Sequence, residues 1–426
     1  MLVILSLAMF VCFVYLLISG RVTAVVALIL VPTVFALIGG FGPNIGPMVI
    51  KGIRTIAPTG VLLIFAMTYF MIQTDAGMFD PIISRIVRAV GGDPVKIFIG
   101  TVALAYLVAL DGDGATVYMI VLSAFLPIYK RIGMSLPKVG CLLLQCTGIG
   151  NLLPWGGPTA RAAASMKVEM GDVFTPMIIP LLACVLWGFS LAYFFGRQER
   201  KRIGVVKIES DEIHGGDVSK TDWRLYFNWA LTIALMVALV KELLPLSYMF
   251  MIASALALTV NYPKYKEQQK HLAVHAPAIL SVAMMLFAAS TFIGILNETG
   301  MASALAKQIV AVIPESFGPY MALVTALISI PMTWLVSNDV FYFGMLPILS
   351  QAAATYGITA AEMARASLIG QPVHILSPLV ASTYLLVSML ELNYGENQRF
   401  TILWSTGSCF VMLAIALITG VVPFYK

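Results

Sequence analysis

Two aspartates lie in the middle of an apolar stretch of this chain. The segment LVALDGDGATVYMIV, residues 107–121, places Asp111 and Asp113 between hydrophobic residues on both sides. Each aspartate is followed by a glycine, Gly112 or Gly114, and glycine lets a chain reverse with positive φ and exposed backbone groups. We therefore predict a tight polar turn, whose carboxylates, carbonyls and amides could bind a cation or an anion.

The same stretch looks like the beginning of a calcium-binding EF-hand loop. Such a loop needs a bidentate glutamate at its twelfth position. Counted from Asp111, that position is Leu122, which has no ligand atom. The EF-hand interpretation is therefore excluded. Thr116 is the next polar side chain that the turn could add to a binding site.

A second feature is the stretch GIGNLLPWGGPTAR, residues 148–161, in which glycine and proline interrupt an apolar run. These helix-breaking residues cannot continue a helical hydrogen-bond ladder, so a helix must unwind and start again. The second half-helix would present free amides, to which anions bind well, and Thr159 could cap it. The candidate binding residues here are Asn151, Gly156, Gly157, Pro158, Thr159 and Arg161.

Two polar stretches in the second half of the chain have the same character. WLVSNDVFYFGMLPI carries three adjacent polar residues, Ser337, Asn338 and Asp339. QPVHILSPLVAST, which begins at residue 371, combines polar side chains with two prolines. Its candidate binding residues are Gln371, His374, Ser377, Pro378, Ser382 and Thr383.

The composition defines the class of protein that positions these residues. Of the 426 residues, 60% are hydrophobic and only 11% are charged, against about a quarter charged in an ordinary globular domain. Uncharged runs long enough to cross a ~30 Å hydrocarbon core recur along the chain. We predict an all-α polytopic membrane protein with about 11–12 transmembrane helices. The candidate spans are about 2–20, 22–40, 56–74, 94–111, 137–165, 173–196, 226–243, 245–260, 277–296, 317–338, 362–389 and 400–424. The five cysteines form no CxxC pair and predict neither disulfides nor a zinc framework.

Ionisable side chains within membrane spans are costly and are functional candidates by default. They are Asp111, Asp113, Arg161, Asp339 and His374, the last being the only histidine predicted within a span. Arg161 carries a planar set of donors suited to a carboxylate, or alternatively lies near the membrane surface with its guanidinium extended to water. His374 could titrate near neutral pH, or it could be a hydrogen-bonded core residue. Asp75 and Glu298 are weaker candidates, because they lie where spans end.

One charge-dense segment divides the chain. RQERKRIGVVKIESDEIHGGDVSKTDWR, residues 197–224, has no hydrophobic periodicity, and its RQERKR cluster indicates the cytoplasmic side. We predict a cytoplasmic linker over residues 197–225, between a first membrane repeat at 1–196 and a second at 226–426. YPKYKEQQKH, residues 262–271, is predicted to be a second basic loop.

The two halves repeat weakly but in order. The matched segments are TDAGM at 74–78 with ETGM at 298–301, RIV at 85–87 with QIV at 308–310, LPI at 126–128 with LPI at 346–348, and GNLLPWGGP at 150–158 with GQPVHILSP at 370–378. The Asp-Gly-Asp of the first half falls nearly opposite the Ser-Asn-Asp of the second. Repeats with interrupted apolar segments at matching places are typical of transporters, and they mark the binding site.

Each repeat has two kinds of interruption. We predict re-entrant hairpins at about 112–130 and 339–355, because the run from Thr116 to Lys130 is too short for a comfortable crossing. An ordinary loop between two crossings is the alternative. We predict broken helices at about 137–165 and 362–389. Inverted repeats need equivalent spans to be an odd number of crossings apart. The predicted span near 277–296 is the sixth after its equivalent near 56–74, so one span must be partial or the repeats are parallel.

Nearly the whole chain resembles the citrate–metal–proton symporter family (CitMHS) of bacteria, within the ion transporter superfamily. The resemblance is carried by four long motifs: LVALDGDGATVYMI, NLLPWGGPTARAAASMK, VSNDVFYFGMLPIL and ARASLIGQPVHILSPLVASTYLL. The resemblance implies that the protein is a transporter and not an enzyme. It would import citrate, complexed with a divalent cation, together with protons, and it would need no cofactor. The superfamily implies a scaffold domain, a transport domain and an elevator-like motion, usually in a homodimer, here expected in the bacterial cytoplasmic membrane.

The chain departs from one relative of that family in an informative way. The related divalent-anion:sodium symporters carry Ser-Asn-Thr at both hairpin tips, whereas the tips here read Asp-Gly-Asp and Ser-Asn-Asp. The added carboxylates favour proton coupling over sodium and suit Mg²⁺ or Ca²⁺ in the substrate. The predicted metal ligands are Asp111, Asp113 and Asp339, and the proton-coupling candidates are these three and His374.

Two other functions remain possible at this stage. A sodium-coupled di- or tricarboxylate carrier or an ion antiporter of the same superfamily would share the architecture. A membrane-embedded aspartyl hydrolase could instead use Asp113 and Asp339 as a dyad that shares one proton. The duplicated Gly/Pro breaks argue against the hydrolase, because a protease needs one cleft and not two broken helices in each half.

Overall fold

The chain is helical throughout the part that the structure describes. This structure is a computed structural model, and it describes residues 2–18, 21–112, 114–206, 222–240, 244–304, 308, 315–377 and 380–426. No strand occurs among these residues. The prediction of an all-α protein is therefore confirmed over the described part of the chain.

The first half of the chain contains nine helices among its described residues. They are α1 (Leu2–Ile18), α2 (Ala24–Ile38), α3 (Ile45–Asp75), α4 (Asp80–Val90), α5 (Pro94–Val108), α6 (Gly114–Ile132), α7 (Leu136–Gly150), α8 (Gly157–Met166) and α9 (Met170–Ile203). A short 3₁₀ turn, Ala109–Asp111, joins α5 to the start of the next helix. The predicted broken helix at 137–165 is α7 followed by α8.

The second half has a similar series of elements. The helices are α10 (Trp223–Val240), α11 (Leu246–Asn261), α12 (Tyr265–Glu298), α13 (Met321–Leu335), α14 (Leu346–Ala354), α15 (Ala360–Ser367), α16 (Gln371–His374), α17 (Ala381–Met389) and α18 (Tyr394–Ile418). A π-helical segment, Val340–Met345, leads directly into α14. The predicted broken helix at 362–389 is the series from α15 to α17.

Several helices extend beyond the spans predicted from hydrophobicity. Six segments of the described chain, those of α3, α6, α9, α12, α13 and α18, are long and apolar enough to cross a membrane. The RQERKR cluster continues α9 to Ile203, and α10 begins at Trp223, so both ends of the predicted linker at 197–225 are helical. The predicted loop at 262–271 is helical from Tyr265, because Pro263 ends the preceding helix and the Lys, Glu and Gln residues that follow favour helix.

The tightest helix packing joins α3 to α12. A Cβ atom added at Gly52 would lie 2.2 Å from the carbonyl oxygen of Ser290, and one added at Gly294 would lie 2.6 Å from that of Met48. Small residues let helix backbones approach closely where lipid removes the hydrophobic drive for association. These two glycines therefore fix the separation of α3 and α12, two long helices against which α11 and α2 also pack.

The hairpin formed by α5 and α6 begins and ends at the same end of α9. Arg200 Nε donates to Asp93 Oδ1 at 3.0 Å just before α5, and Arg202 Nη2 donates to the carbonyl oxygen of Gly133 at 2.5 Å just after α6. Asp93 also caps α5, accepting from Val95 N at 3.0 Å. Burial opposes ionisation of Asp93, but the bonds from Arg200 and Val95 and the Arg200 charge outweigh it and lower the pKa of that carboxyl.

The hairpin formed by α13 and α14 has both of its ends near the opposite end of α9. The backbone N–H of Lys426 donates to the carbonyl of Pro319, and Lys426 Nζ contacts the carbonyl of Gly357 and lies 2.8 Å from Glu362 Oε1. Arg365, one turn further along α15, donates to the backbone carbonyl of Asp172 at 2.9 Å, near the start of α9. The two hairpins therefore attach at opposite ends of this long helix.

Candidate functional site

The break between α7 and α8 is built around one crowded glycine. A Cβ atom at Gly156 would lie 1.9 Å from the carbonyl oxygen of Asn151, so the chain can fold back only with glycine there. Gly156 is also the residue that precedes the first turn of α8, which contains Pro158, a favourable place for a residue without an N–H. The break thus unwinds the helix as the sequence predicted.

Thr159 does not have its predicted role in this break. Its hydroxyl donates to the carbonyl of Leu152 at 2.9 Å and makes no cap to the amides of α8. The bond ties the second half-helix back to the unwound segment and leaves the α8 amides without a side-chain cap. The prediction of a Thr159 cap is therefore wrong, because the adjacent free carbonyl is the nearer partner.

The strongest interaction at the site joins the two halves of the chain. Arg161 Nε donates to Asp339 Oδ1 at 2.8 Å, linking the first turn of α8 to the tip of the second hairpin. Asp339 is 7% exposed, and the Arg161 side chain is 20% exposed. Arg161 thus lies inside the protein against a carboxylate, which disfavours the alternative of a side chain extended to water at the membrane surface.

The tip of the second hairpin is also bonded to the second broken helix. Gln371 Nε2 donates to Asn338 Oδ1 at 3.0 Å and to the hydroxyl of Tyr342 at 2.8 Å. Ser337 Oγ accepts from Val340 N at 3.3 Å and so caps the helical segment that follows the tip. The Ser-Asn-Asp tip is thereby held between the two breaks.

His374 lies beside this cluster at the end of α16. Its Nδ1 lies 2.5 Å from the carbonyl oxygen of Thr333. A carbonyl only accepts, so Nδ1 carries the hydrogen and Nε2 is left to accept or carry a second proton. Arg161 and Asp339 are both close enough to act on His374 electrostatically.

The tip of the first hairpin also contacts both helix breaks. Trp155 Nε1 donates to the carbonyl of Leu110 at 2.7 Å, and the ring lies against Gly112, whose φ is +77°. A Cβ atom at Gly114 would lie 2.8 Å from Thr147 and 3.2 Å from the Ser382 hydroxyl. Gly112 has the positive φ that the sequence predicted, whereas Gly114 has no positive φ and is required because a larger side chain would not fit.

The remaining predicted residues fall into three groups. Ser377 and Thr383 are buried around the second break, where the Thr383 hydroxyl donates to the carbonyl of Ile375. Thr116 and Asn151 are half-buried near the first tip and the first break. Asp113, Pro378 and the side chain of Asp111 lie outside what the structure describes.

Sequence reasoning missed several residues of this site. Trp155, Tyr342 and Thr333 each bond directly to a predicted element, yet all were taken as part of apolar runs. The π-helical segment that follows Asp339 was also missed, and such segments are frequent at functional sites. Tyr342 and Trp155 could have been noticed as polar aromatic residues next to helix breaks.

The two weaker sequence candidates lie away from this site. Glu298 pairs with Lys51 at 2.8 Å on a partly exposed surface. Asp75 contacts His271 and His275, which both lie in the long apolar helix α12. The prediction that His374 is the only histidine within a span is therefore wrong.

A cavity of about 560 Å³ opens beside the site on the side where α9 begins. It is lined by residues of α3, of the α8–α9 connection and of the start of α11, including Thr55, Thr59, Lys167 and Glu169. None of the predicted site residues lines it, but it reaches Ala163 and Ala164, on the same helix as Arg161.

The fold, with six described helices long and apolar enough to cross a membrane, is that of a polytopic membrane protein. Two solved structures have the same fold at low sequence identity. One is the YdaH transporter of Alcanivorax borkumensis, with a TM-score of 0.60, 15% identity and coverage of 88% of this chain and 86% of that one. The other is MtrF of Neisseria gonorrhoeae, described within a class of antimetabolite efflux pumps, with a TM-score of 0.61, 13% identity and coverage of 87% and 83%.

The particular family follows from closer sequence relatives. The CitMHS family model, described as citrate transporter, matches residues 5–370. A citrate transporter of Bacillus subtilis is 49% identical over 426 residues and the full length of both chains, and a Mg²⁺/citrate complex secondary transporter of that organism is 41% identical over 429 residues and 99% of both. The chain belongs to the CitMHS citrate transporter family, and it is a transporter rather than an enzyme.

Proposed function

We propose that this protein imports citrate as a complex with a divalent metal ion, by symport with protons. The observation that carries this proposal is the buried Arg161–Asp339 pair, which joins a hairpin tip to a broken helix from the other half. The Arg161 guanidinium suits a carboxylate group of the substrate, and the Asp339 carboxylate suits its metal ion. The names of the two relatives supply the substrate class.

Arg161 and Asp339 exchange partners when the substrate binds, so their charges are neutralised in both the empty and the loaded site. Without substrate, Arg161 and Asp339 neutralise each other in a largely buried place, where an unpaired charge would be costly. When metal–citrate enters, a citrate carboxylate takes the guanidinium and the metal ion takes the Asp339 carboxylate. The free amides at the start of α8 suit a second citrate carboxylate.

Proton coupling follows from the charge of the cargo. Citrate with about three negative charges and a divalent ion leave a net charge of about −1. One proton cancels that charge, which lowers the cost of moving the loaded site through the membrane. The candidate carriers remain Asp111, Asp113, Asp339 and His374. The His374 Nε2 nitrogen, with Nδ1 held by Thr333, is available for that proton.

The path of the chain supports inverted repeats. Among the described residues we count ten full crossings, with α7–α8 and α15–α17 each crossing once and the two hairpins entering from opposite ends of α9. When residues 94–111 are treated as one arm of a hairpin, and not as a crossing, α12 becomes the fifth crossing after α3. Five is odd, so the equivalent helices run in opposite directions, as inverted repeats require.

This path assigns each end of the molecule to one side of the membrane. The basic end of α9, Arg200 to Arg202, is assigned to the cytoplasm. The first hairpin then enters from the cytoplasm, and the second from outside. The helices α1–α4 and α10–α12 would form the scaffold, and the remaining helices the moving transport domain of an elevator. A homodimer in a bacterial cytoplasmic membrane fits this division.

The predicted sides can be tested with single introduced cysteines. Glu391 lies 2.7 Å from Lys130 near the end of the first hairpin, and Ala354 is an exposed residue near the end of the second. We expect a membrane-impermeant maleimide added outside intact cells to label Ala354→Cys and not Glu391→Cys. After the membrane is opened, both should react. Labelling of both variants from outside would contradict the opposite entry of the hairpins.

The coupling ion is tested by uptake in proteoliposomes. With an inward proton gradient and no sodium, we expect labelled citrate with Mg²⁺ to accumulate. An inward sodium gradient at equal pH on both sides should give no accumulation. The reverse result would favour the sodium-coupled carrier, to which the same architecture belongs. Accumulation under neither gradient, with citrate exchange intact, would contradict symport by either ion.

A further inference from the structure

Three potential metal ligands converge away from the substrate site, where α3 ends beside α12. His275 Nε2 lies 2.8 Å from Asp75 Oδ2, and His271 Nε2 lies 2.9 Å from the same oxygen. All three ligand atoms are within 4.8 Å of one another. The two imidazole rings are 4.6 Å apart between centroids. Two nitrogens that approach one carboxylate oxygen make a compact set of donors.

The spacing of the two histidines suits a metal ion. Positions 271 and 275 are four apart on a helix, so both side chains lie on one face, which is the arrangement that binds zinc in His-x₃-His motifs. In a tetrahedral zinc site with bonds near 2.0–2.1 Å, neighbouring ligand atoms are about 3.3 Å apart. The two observed nitrogen–oxygen separations, 2.8 and 2.9 Å, are within about 0.5 Å of this value, and the two imidazole nitrogens lie within 4.8 Å of each other.

His271 provides a second and independent indication of a ligand. It is 7% exposed, its Nδ1 has no hydrogen-bond partner, and its Nε2 lies 2.9 Å from Asp75 Oδ2 without hydrogen-bond geometry. An uncompensated buried polar group costs free energy, so native structures rarely leave one without a partner or a function. The Nε2 nitrogen points at the cluster, and a bound cation would satisfy it. Asp75, whose side chain is 41% exposed, leaves the cluster open for an ion to enter.

We propose that Asp75, His271 and His275 form a binding site for a transition-metal ion of the Zn²⁺ class, separate from the substrate site. Imidazole ligands suit zinc, cobalt and nickel, whereas Mg²⁺ and Ca²⁺ take oxygen ligands. The site is therefore distinct in chemistry from any Mg²⁺ or Ca²⁺ carried with citrate. A bound ion would join the end of α3 to α12, the two helices already packed at Gly52 and Gly294. On the proposed path of the chain, the site faces the cytoplasm.

The test uses the full-length protein in detergent, with a histidine-free affinity tag and a buffer without citrate. Titration with Co²⁺ should give the visible absorption of a four-coordinate ion at one equivalent, and Zn²⁺ should displace it while excess Mg²⁺ does not. Zn²⁺ should also raise the melting temperature, because an ion that binds only the folded state stabilises it.

Substitutions locate the site. His271→Asn with His275→Asn should lower Co²⁺ affinity by at least about 100-fold, since even residues that only orient ligands contribute 10–100-fold. Asp75→Asn is the second variant, chosen because it keeps the shape of an exposed side chain, and it should also lose the Zn²⁺-induced rise in melting temperature. His214→Asn, in the linker, is the matched control and should bind as the unchanged protein does. Unchanged Co²⁺ affinity in Asp75→Asn, or displacement by equimolar Mg²⁺, would overturn the proposal.

Discussion

Asp339→Asn is expected to lower the rate of proton-driven citrate uptake by at least about 100-fold. The substitution keeps the shape of the side chain but removes the charge that neutralises Arg161 at 2.8 Å. Removing one member of a buried pair costs about 3–5 kcal/mol of folding stability, which the melting temperature measures. For the transport rate, residues that only orient metal ligands already contribute about 10–100-fold in metal affinity or activity. The variant would also lack a ligand for the metal ion of the substrate. Initial uptake rates in proteoliposomes, at equal amounts of inserted protein, measure the effect.

Two controls separate a role in transport from a role in stability. Glu391→Gln removes a carboxylate from the exposed pair with Lys130, where the side chain is 73% exposed and the pair contributes little. It should transport normally. The double variant Arg161→Ala with Asp339→Ala removes both charges, so its melting temperature should recover relative to either single variant while uptake stays absent. Recovery of uptake in the double variant would mean that the pair serves only stability.

Asp111→Asn and Asp113→Asn are each expected to abolish proton-driven uptake. Each change removes one charge from the tip of the first hairpin, which the structure places beside Trp155 and Ser382 at Gly112 and Gly114. A carboxylate there can hold either the metal ion or the proton. Accumulation under a pH gradient measures both functions. Asp222→Asn, an exposed aspartate 3.6 Å from Arg224, is the matched control.

Exchange of internal and external citrate without a gradient distinguishes the two functions. A variant that lacks the proton carrier should still exchange citrate, because exchange needs no net proton movement. A variant that lacks a metal ligand should lose exchange as well. Normal uptake in both variants with an unchanged pH response would show that neither aspartate takes part in transport.

The apolar pattern predicted the helices well where burial decides the structure. The runs that became α2, α5, α10 and α11 were located within a few residues, since a membrane span needs a continuous hydrophobic segment. The ends of α9 and α12 were missed because their final or first turns are charged. These turns are held by interactions such as Arg200–Asp93, which join residues far apart in sequence.

The sequence predicted the helix breaks and polar residues of the candidate site, but not which of these residues bond to one another. Glycine and proline locate a break because they forbid continued helix, so Gly156 and Gly112 could be assigned from local chemistry alone. The bond between Arg161 and Asp339 could not, because it depends on how two halves cross in space. For the same reason the cluster of Asp75 with His271 and His275 was not predicted, and His271 fell in the segment 262–271 that was predicted to be a loop.

The dependence of citrate uptake on a metal ion tests the central proposal most directly. Proteoliposomes with a fixed inward proton gradient would receive labelled citrate with a metal chelator, or with one divalent ion at a time. We predict uptake with Mg²⁺ or Ca²⁺, equal entry of the labelled metal ion and citrate, and background uptake with the chelator. Equal citrate uptake with the chelator and with every ion would contradict transport of a metal–citrate complex.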